Sequence, residues 1–396
     1  MKKKVLIFST RLPYPPTAGF RKRILKFSEF LSNMGLQVDL SFIHSDSLDN
    51  QLIKKVKKLY DNIFPFYLTN FQKISGMSKA VFKNEPLQSH LYYSGRIAQK
   101  LSEIISKNHY NLILWNHIRA HEYRKHIFND FSVHLIDYHD SLAYHYLIGN
   151  NKIGNFLWKS IYKMEGKRLL EYEKNILNDY KMAFITSVID KYFIEPDDNK
   201  IKIIPMGVSR ALLGMENDES DENIITFIGK MDYLPNVDAV VYFTKEILPE
   251  IDYDVKLYII GTNPNKAVLN LQKKYSNVFV TGYIENPYKL MARSKIVIAP
   301  IRIGAGIQNK ILEGMALGKP VVTFKERIKA FENIKNFQDV FAVNSSEEFV
   351  EAINSLLKNK TLRLEIGKNA RNYIKENYTW KKIENKFRNY IYEVIE

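Results

Sequence analysis

The sequence predicts an α/β protein that contains two doubly wound parallel sheets. Short apolar runs of strand length alternate with helical patterns through both halves of the chain, which is typical of parallel sheets covered by helices. The chain has 396 residues, too many for one ordinary core, and suits two domains of about 200 residues each. Its composition, 45% hydrophobic and 26% charged, is that of a folded globular protein.

The N-terminal half begins with a βαβ unit. Val5–Ser9 has the continuous apolar character of a buried parallel strand, and Val38–Ile43 returns as the second strand. Between them a proline-rich loop leads to Gly19, where a helix spanning about residues 20–34 begins and Gly35 caps its far end. The apolar face of this helix comprises Ile24, Phe27, Phe30, Leu31 and Met34.

The rest of this half continues the alternation. Helical patterns cover residues 48–60, 88–107 and 158–178, and strand-like runs cover 112–115, 133–137 and 183–187. Polar residues follow two of these strands: Asn116 and His117 after the first, then His139, Asp140 and Ser141 after the second. Open α/β sheets bind ligands just beyond the carboxyl ends of their strands, so this position makes His117, His139 and Asp140 candidate site residues. A structural loop role for His117 and a helix N-cap role for Asp140 stay open as alternatives.

The C-terminal half repeats the pattern after an acidic segment, residues 209–223, that lacks apolar periodicity and is predicted to be a linker. Strands are expected at 224–228, 256–260, 278–281, 296–300 and 321–324. Helices are expected at about 237–248, 266–275, 287–292, 308–317, 346–358, 361–376 and 380–395. The result is a second sheet of the same kind as the first.

The most informative segment is IVIAPIRIGAGIQNKILEGMALGKPVVT, residues 296–323. Gly304 and Gly306 leave bare backbone amides where a strand feeds a helix, and such a junction suits a phosphate. Lys310 and Glu313 lie three residues apart on nearly one face of that helix. A carboxylate there can accept hydrogen bonds from a ribose diol, so the site suits a nucleotide diphosphate. The alternative is a phosphate-free turn whose glycines only permit tight packing.

The net charge and the residue composition limit the classes of partner and site that this chain can have. The net charge is +15, which favours an anionic partner such as a nucleotide sugar, lipid head groups or nucleic acid, although a lysine-rich solvated surface would have the same charge. No nucleic-acid motif accompanies the charge. The chain has no cysteine, which excludes disulfides, thiolate metal sites and a cysteine nucleophile. No apolar run approaches the roughly 20 residues that span a bilayer, and the start of the chain is predicted to be a strand, not a signal peptide.

The ten residues EGMALGKPVV, 313–322, resemble the C-terminal signature of the retaining, family 4 (group 1) glycosyltransferases. The resemblance implies the GT-B architecture, in which two Rossmann-like domains face a cleft. It assigns residues 1–205 to an acceptor-binding domain, 206–379 to a domain that binds the nucleotide-sugar donor, and 380–396 to a helix that crosses back to the N-terminal domain. Many family members carry two glutamates eight residues apart, and Glu313 matches the second of them. Here the position of the first is Ala305, as in the polysaccharide-building branch, which leaves the sugar contacts and the donor sugar open.

The resemblance also implies roles for individual residues. Lys230 and Lys310 would neutralise the donor diphosphate, with Gly19, Arg21 and Arg23 of the first loop and helix as further anion contacts. The alternative for Lys230, Arg21 and Arg23 is that they are solvent-facing surface charges. His117 would lie near the donor sugar. From its own position after the strand, and not from the resemblance, Asp140 is the candidate to receive the acceptor proton or hold a sugar hydroxyl, with His139 as an equal alternative. The remaining donor-binding positions would be Ile284, whose backbone reads the base, Gly304 and Gly306, the amides of Ile307 and Gln308, and Glu313.

The sequence therefore predicts a retaining glycosyltransferase that moves a sugar from a nucleotide-diphosphate donor to a glycan or lipid-linked acceptor in cell-surface polysaccharide biosynthesis. We expect no metal, because the histidines lack the spacing of metal ligands. We expect a cytoplasmic protein, peripheral to the inner face of the plasma membrane. A GT-B nucleotide-sugar epimerase, which needs a pair of acid-base carboxylates, and an inert nucleotide-sugar-binding homologue are the alternatives. The sequence does not separate uracil from guanine as the base.

Overall fold

The computed structural model describes residues 2–16, 18–128, 130–148, 156–304 and 306–395, with only the backbone described for 156–158. Ala305, at which the family's first glutamate is missing, therefore lies outside the described residues. The chain divides into two compact units, Met1–Ile204 with Glu384–Glu396, and Pro205–Ile383. The sequence analysis places the corresponding boundary between residues 205 and 206.

The first unit contains a parallel sheet. Its strands are β1 (Lys4–Ser9), β2 (Gln37–His44), β3 (Ile63–Tyr67), β4 (Leu112–Asn116), β5 (Val133–His139), β6 (Met182–Ile185) and β7 (Ile201–Ile203). Across the described residues these strands pair in the order β3-β2-β1-β4-β5-β6-β7. The chain leaves β1 towards β2 on one side and resumes at β4 on the other, so β1 and β4 flank the topological switch point of the sheet.

Helices cover this sheet. They are α1 (Gly19–Asn33), α2 (Asn50–Lys57), α3 (Asn70–Phe82), α4 (Leu87–His90), α5 (Gly95–Asn108), α6 (His121–Arg124), α7 (Leu142–Leu147), α8 (Phe156–Asn175) and α9 (Val188–Ile194). The core is apolar, as the sequence patterns predict: Phe8, Trp115 and Tyr123 are fully buried, and the Phe8 ring lies 5.4 Å from Trp115 and 4.9 Å from Tyr123.

The second unit repeats the architecture. Its strands are β8 (Ile224–Ile228), β9 (Lys256–Ile260), β10 (Val278–Gly282), β11 (Ile296–Ala299), β12 (Val321–Phe324) and β13 (Phe341–Val343). In the described part of the chain they pair in parallel in the order β10-β9-β8-β11-β12-β13, with β8 and β11 at the switch point. The remaining helices are α10 (Arg210–Leu213), α11 (Leu234–Tyr242), α12 (Lys266–Lys274), α13 (Pro287–Arg293), α14 (Asn309–Ala316), α15 (Lys325–Ile328), α16 (Ser346–Lys358), α17 (Lys360–Asn377) and α18 (Trp380–Ile395).

The last helix returns to the first unit, as predicted. Residues of α18 from Glu384 onward belong to that unit. The Phe387 ring stacks on Phe27 of α1 with 4.4 Å between centroids and also lies 5.3 Å from Phe184 of β6. Among the helices that the structure describes, none is both long and apolar enough to cross a bilayer.

Several elements differ from the prediction. The β3 strand is missing from the sequence analysis, because its Pro65 interrupts the strand pattern; as expected for a strand that contains proline, β3 lies at the edge of the sheet. Helix α3 and strand β13 are also missing from it. The helical pattern at 88–107 is two helices, α4 and α5, separated by a turn in which the Tyr93 amide bonds to the His90 carbonyl at 3.0 Å.

The predicted linker 209–223 is a packed segment. It begins with the short helix α10, and two of its polar side chains bind cations of the second unit. The Glu219 carboxylate forms a bidentate pair with Arg363 of α17, with one N–O distance of 2.6 Å, and Asn217 accepts a hydrogen bond from Lys319. Because this segment is held by polar contacts, it shows none of the apolar periodicity by which a packed element is recognised.

Candidate active site

Two loops at the carboxyl edge of the second sheet bring most of the predicted donor-site residues together. The β8–α11 loop carries Lys230, and the β11–α14 loop carries Gly304 and Gly306. Because β8 and β11 are neighbouring central strands, these loops meet at the switch point, where open α/β sheets bind ligands. Strand β11 ends at Ala299, directly before Pro300, as predicted.

The glycines of the β11–α14 loop adopt backbone conformations with positive φ. Gly304 has a φ of 122° and Gly306 a φ of 70°, both in the region that disfavours side chains. A Cβ added at Gly304 would come no closer than 3.9 Å to a neighbouring atom, so tight packing does not explain this glycine. The buried Arg327 guanidinium donates to the Gly304 carbonyl and fixes the loop from the side of α15.

Helix α14 is anchored at the end away from this loop. Gly318 follows the helix with a φ of 70°, and its amide and that of Lys319 bond back to Met315 and Gly314 at 2.9 and 3.1 Å, which is the usual glycine-terminated helix end. Arg371 of α17 donates to the last carbonyls of the helix, at 3.0 Å to Ala316 and 2.9 Å to Leu317. The N-terminal end of α14 is thereby held facing the glycine loop.

Lys310 is a buried cation beside that loop. It is 7% exposed, and its ammonium donates to Asn236 Oδ1 at 3.1 Å and to Gln308 Oε1 at 3.4 Å. The ammonium also lies 5.2 Å from the centre of the Phe227 ring. Burial lowers the pKa of Lys310 to about 8, and the negative charge of Glu313 opposes this shift. A cation whose partners here are neutral amides is well suited to an anionic ligand.

Glu313 lies one turn further along α14 and is half-buried. Its Oε1 accepts a hydrogen bond from the Tyr288 hydroxyl at 3.0 Å, which ties α14 to α13. Burial and the carboxylate raise the pKa of Tyr288, so this hydroxyl keeps its proton and remains a donor. Ile284 is half-buried in the loop between β10 and α13, four residues before Tyr288. Sequence reasoning missed Tyr288, because nothing in its local pattern marks it as a partner of Glu313.

Lys230 is more exposed than Lys310. Its side chain is 59% exposed, and its ammonium lies 2.9 Å from Asp232. Its carbonyl accepts from Asn236 Nδ2 at 2.9 Å, so Asn236 connects the β8–α11 loop to Lys310. A Cβ at Gly229 would lie 2.5 Å from Asn236 Nδ2, which explains the glycine before Lys230. A salt-bridged exposed lysine neutralises a ligand less strongly than a buried one.

A second buried lysine in the motif has a structural role. Lys319 has no exposed surface and donates to Asn217. Burial lowers its pKa to about 8, against the charge of Glu219. It lies at the end of α14 opposite Lys310. From the sequence, a lysine in a turn is expected to be exposed. The structure is therefore needed to distinguish the structural role of Lys319 from the proposed ligand-binding role of Lys310.

In the first unit, His117 follows β4 with an unusual backbone. Its φ is 73°, its amide donates to the Asp137 carbonyl at 2.7 Å, and its Nδ1 accepts from the Arg119 amide at 3.4 Å. Burial, then the charges of Arg119 and Arg11, lower the pKa of His117 well below its usual value. The imidazole is therefore neutral at physiological pH. Because Nδ1 is an acceptor, the proton is placed on Nε2, which can donate to a hydroxyl.

Asp140 follows β5 and does not cap a helix. The N-cap of α7 is Ser141, whose side chain accepts from the Tyr144 amide. Asp140 instead accepts from Thr186 Oγ1 at 2.8 Å, with His139 Nε2 at 3.6 Å. Burial favours a raised pKa, but His139, His145 and Thr186 outweigh it and lower the pKa of Asp140 well below its usual value. Asp140 is therefore ionised and weakly basic.

Two further carboxyl groups, Glu173 and Asp190, are fully buried, and each accepts a hydrogen bond from Ser141, the residue after Asp140. Glu173 accepts from Ser141 Oγ at 2.6 Å and from the Leu142 amide at 2.7 Å. Burial raises the pKa of Glu173 to about 8 and also raises that of Asp190. Both groups are buried away from solvent and hydrogen-bonded within the protein. They therefore offer no accessible acid-base pair of the kind that an epimerase needs.

Glu173→Gln is expected to flatten the dependence of stability on pH. Between the ordinary glutamate pKa of 4.5 and about 8, Glu173 holds a proton in the folded state that the unfolded chain has released. Its stabilising contribution is complete below that range and is lost as the pH rises through about 8. Thermal unfolding measured from pH 5 to 9 should therefore decline with pH more steeply in the wild type than in the variant.

The matched control is Glu171→Gln, which changes an exposed glutamate on the same helix. This control should keep the wild-type slope. Equal slopes for the wild type and Glu173→Gln would mean that Glu173 is ionised in the folded protein.

The first helix differs from the prediction at Arg23. Helix α1 begins at Gly19 as expected, but Arg23 is fully buried and forms a salt bridge with Asp137 at 2.7 Å. Its Nε also donates to both oxygens of Asp137, and one terminal nitrogen donates to the Ile204 carbonyl. The prediction that Arg23 contacts an anionic ligand is therefore wrong, because its charge is already paired inside the protein. Arg21 stays half-buried and donates to the Pro15 carbonyl at 3.3 Å.

One group in the described residues has the spacing of metal ligands: Glu85, His90 and Glu122, whose ligand atoms lie within 4.8 Å of one another. Lys125 already pairs with this group, at 2.7 Å to Glu122 and 3.3 Å to Glu85. A divalent ion would have to displace that ammonium. The expectation of metal-independent chemistry stays a prediction.

Comparison with known proteins agrees with this architecture. Residues 222–359 match the family model described as Glycosyl transferases group 1. An uncharacterized 44.6 kDa protein in the cps region of Klebsiella pneumoniae is 25% identical over 96% of this chain and 97% of its own length.

Two solved structures are similar over nearly their full length. Sucrose-phosphate synthase from Thermosynechococcus elongatus has a TM-score of 0.72 at 16% identity, covering 99% of each chain. TarM from Staphylococcus aureus, in complex with fondaparinux, α-GlcNAc-glycerol and UDP, has a TM-score of 0.69 at 13% identity, covering 100% of each chain. At these identities the likeness shows the fold, and the family match shows the class of enzyme. The chain is therefore a glycosyltransferase of GT-B fold that carries a group 1 glycosyltransferase domain at residues 222–359.

Proposed function

We propose that this glycosyltransferase transfers a sugar, with retention of anomeric configuration, from a nucleotide-diphosphate donor to a glycan or lipid-linked acceptor. We further propose that the product belongs to a cell-surface polysaccharide. The observation that carries the proposal is the placement of a buried ammonium and a carboxylate, Lys310 and Glu313, one turn apart behind the glycine loop of α14. The two groups match the two polar parts of a nucleotide diphosphate.

The donor would lie across the carboxyl edge of the second sheet. Glu313 would accept from the ribose hydroxyls, and the backbone at Ile284 would bind the base. Gly304 and Gly306 would let the chain approach the diphosphate, which the amides from Gly306 to Gln308 would bind. Lys310 and, more weakly, Lys230 would neutralise its charge. With these cations and amides, the proposed chemistry requires no metal ion.

The reaction would break the bond from the anomeric carbon to the diphosphate and form one to the acceptor hydroxyl oxygen. Negative charge grows on the departing diphosphate, so Lys310 stabilises the transition state more than the ground state. Because the pKa of Asp140 is lowered, this carboxylate accepts the acceptor proton less readily than an oxygen of the leaving diphosphate, for which a phosphate pKa is about 6. We therefore assign Asp140 and His117 to holding hydroxyl groups, with His117 donating through Nε2.

Two findings on similar proteins support the proposed donor and the proposed product. TarM was crystallised with UDP and with sugar-containing molecules, which favours UDP among nucleotide diphosphates. The Klebsiella relative lies in a cps region. The net charge of +15 suits work at an anionic membrane surface, and we propose a cytoplasmic enzyme peripheral to the inner face of the plasma membrane.

A thermal-shift panel of UDP, GDP, ADP and CMP with their common sugar conjugates tests the proposal. We expect one diphosphate and its sugar conjugates to stabilise the protein, by mass action on the folded state. The stabilising donor should then release its nucleotide only when an acceptor extract is added. A flat panel would contradict the proposed donor site and favour the inert homologue, and turnover that yields an isomerised donor sugar would favour the epimerase.

A further inference from the structure

Three cationic side chains surround the ring of Tyr92 in the first unit. The Arg11, Arg119 and Lys73 charges lie 5.4, 5.6 and 5.8 Å from the ring centre, within cation–π range. Arg11 Nε also donates to the Tyr92 hydroxyl at 3.1 Å. The three cations come from the loop after β1, the turn after β4 and helix α3, so the fold assembles them from separate parts of the sequence. We call this group the Tyr92 cation cluster.

Within the residues that the structure describes, no carboxylate lies within salt-bridge distance of these three cations. Arg119 donates to the neutral amide of Gln88, and Lys73 donates to Asn70 Oδ1 at 3.3 Å. Arg119 Nε is buried without a hydrogen-bond partner. Burial and the charge of Arg11 lower the pKa of Arg119 to about 10, so the cations also repel one another.

Three arginines elsewhere in the chain each have a carboxylate partner. Arg23 binds Asp137, Arg302 binds Asp238 and Arg363 binds Glu219, each through two nitrogens. An uncompensated group of like charges costs stability, and its retention is explained if an anion from outside the chain completes it.

The cluster lies at the ligand-binding edge of the first sheet. Arg11 is two residues beyond the end of β1, and Arg119 is three residues beyond the end of β4, the strands that flank the switch point. The backbone amide of Arg119 donates to Nδ1 of His117, the residue to which we assign an acceptor or sugar hydroxyl. An anion held here would therefore be close to that hydroxyl.

We propose that Arg11, Arg119 and Lys73 bind a phosphate group of the acceptor, so that the acceptor of this enzyme is a phosphorylated molecule. This proposal rests on the proposed function. Two planar guanidinium groups provide paired N–H donors that match phosphate oxygens, and the lysine adds a mobile point charge. The phosphate would come from a lipid phosphate or from a phosphodiester polymer. Phe71, Ile74 and Phe82 of α3, which are 79%, 62% and 91% exposed, could contact the chain of a lipid.

Calorimetric titration of the full chain, saturated with UDP to fill the donor site, tests the proposal. The probes are dihexanoyl phosphatidic acid below its micelle concentration and a glycerol-phosphate oligomer. We expect phosphate-dependent binding that weakens about tenfold or more in Arg119→Gln and in Arg11→Gln, because each removes charge-assisted hydrogen bonds. Lys73→Gln, on the partly exposed α3, should weaken it less. Tighter binding of the lipid would identify a lipid phosphate as the source, and tighter binding of the oligomer a polymer.

The matched control is Arg96→Gln, which changes an exposed arginine on α5 of the same unit and should bind both probes like the wild type. UDP affinity is measured for every variant and should stay unchanged. Probe binding that is absent, or equal in all variants, would overturn the proposal, as would a parallel loss of UDP affinity, which would assign the cluster to the donor. If the wild type binds no UDP, the donor assignment fails, while arginine-dependent phosphate binding would still establish the anion site.

Discussion

Lys310→Met is expected to lower the turnover number about 100- to 1000-fold, the usual effect of removing one donor that stabilises transition-state charge. Donor affinity should change much less, because charge on the diphosphate increases as its bond to the sugar breaks. Methionine fills a similar volume beside Phe227, so the helix should keep its packing. Turnover number and KM for the donor, together with the Kd of the nucleotide diphosphate, separate the two effects.

The pH profile gives this prediction a second readout. Burial lowers the pKa of Lys310 to about 8, so kcat/KM of the wild type should fall as the pH rises through about 8 and the ammonium loses its proton. Lys310→Met should lack this decline. Lys358→Met, which changes an exposed lysine at the end of α16, serves as the control and should behave like the wild type. Unchanged turnover in Lys310→Met would remove Lys310 from the chemistry.

Glu313→Ala is expected to weaken binding of the nucleotide diphosphate about 100-fold. Hydrogen bonds to a charged acceptor contribute about 1.5–3 kcal/mol each, and every 1.4 kcal/mol or so is tenfold in affinity. The alanine lies inside a helix that Arg371 and Gly318 anchor at its far end, so unfolding should be little affected. Calorimetry with the diphosphate, the matching nucleoside and inorganic pyrophosphate measures the effect. Nucleoside binding should weaken as well, whereas pyrophosphate binding should not.

Tyr288→Phe is the matched control for Glu313→Ala. It removes the hydrogen bond that Glu313 accepts within the protein but keeps the carboxylate. We expect a loss of affinity far smaller than for Glu313→Ala. Equal losses in the two variants would mean that Glu313 acts by positioning α13, and an unchanged affinity in Glu313→Ala would refute its assignment to the ribose.

How far the sequence predicts this molecule depends on the range of the interactions involved. The site helix and its flanking strands are predictable, because glycine at positive φ, a strand-ending proline and helical periodicity are local signals. Helix α3 and strand β3 are not: α3 exposes apolar side chains such as Phe71, which obscures its pattern, and Pro65 interrupts β3. The predicted linker is wrong for a related reason, since its contacts are polar.

The residues of the proposed site also divide into those that local sequence signals predict and those whose roles depend on distant partners. Lys310, Glu313 and the glycine loop lie within one local motif, so the sequence brings them together without the fold. The roles of Lys319 and Arg23 depend on partners far away in sequence; Asp137 is 114 residues from Arg23. A cation whose counter-ion is distant cannot be distinguished from one that awaits a ligand. The Tyr92 cation cluster, drawn from three elements, is equally invisible in the sequence.

The Arg23–Asp137 pair affects how genetic data on this enzyme should be interpreted. Asp137 also accepts from Asn116 at 3.2 Å, and its carbonyl accepts from the His117 amide, so one buried carboxyl residue supports the backbone of a proposed site residue. A screen for inactive mutants would return Arg23 and Asp137 beside Lys310 and Glu313. Protein abundance separates the two classes, since removing one partner of a buried pair costs about 3–5 kcal/mol, enough to deplete the folded protein in cells.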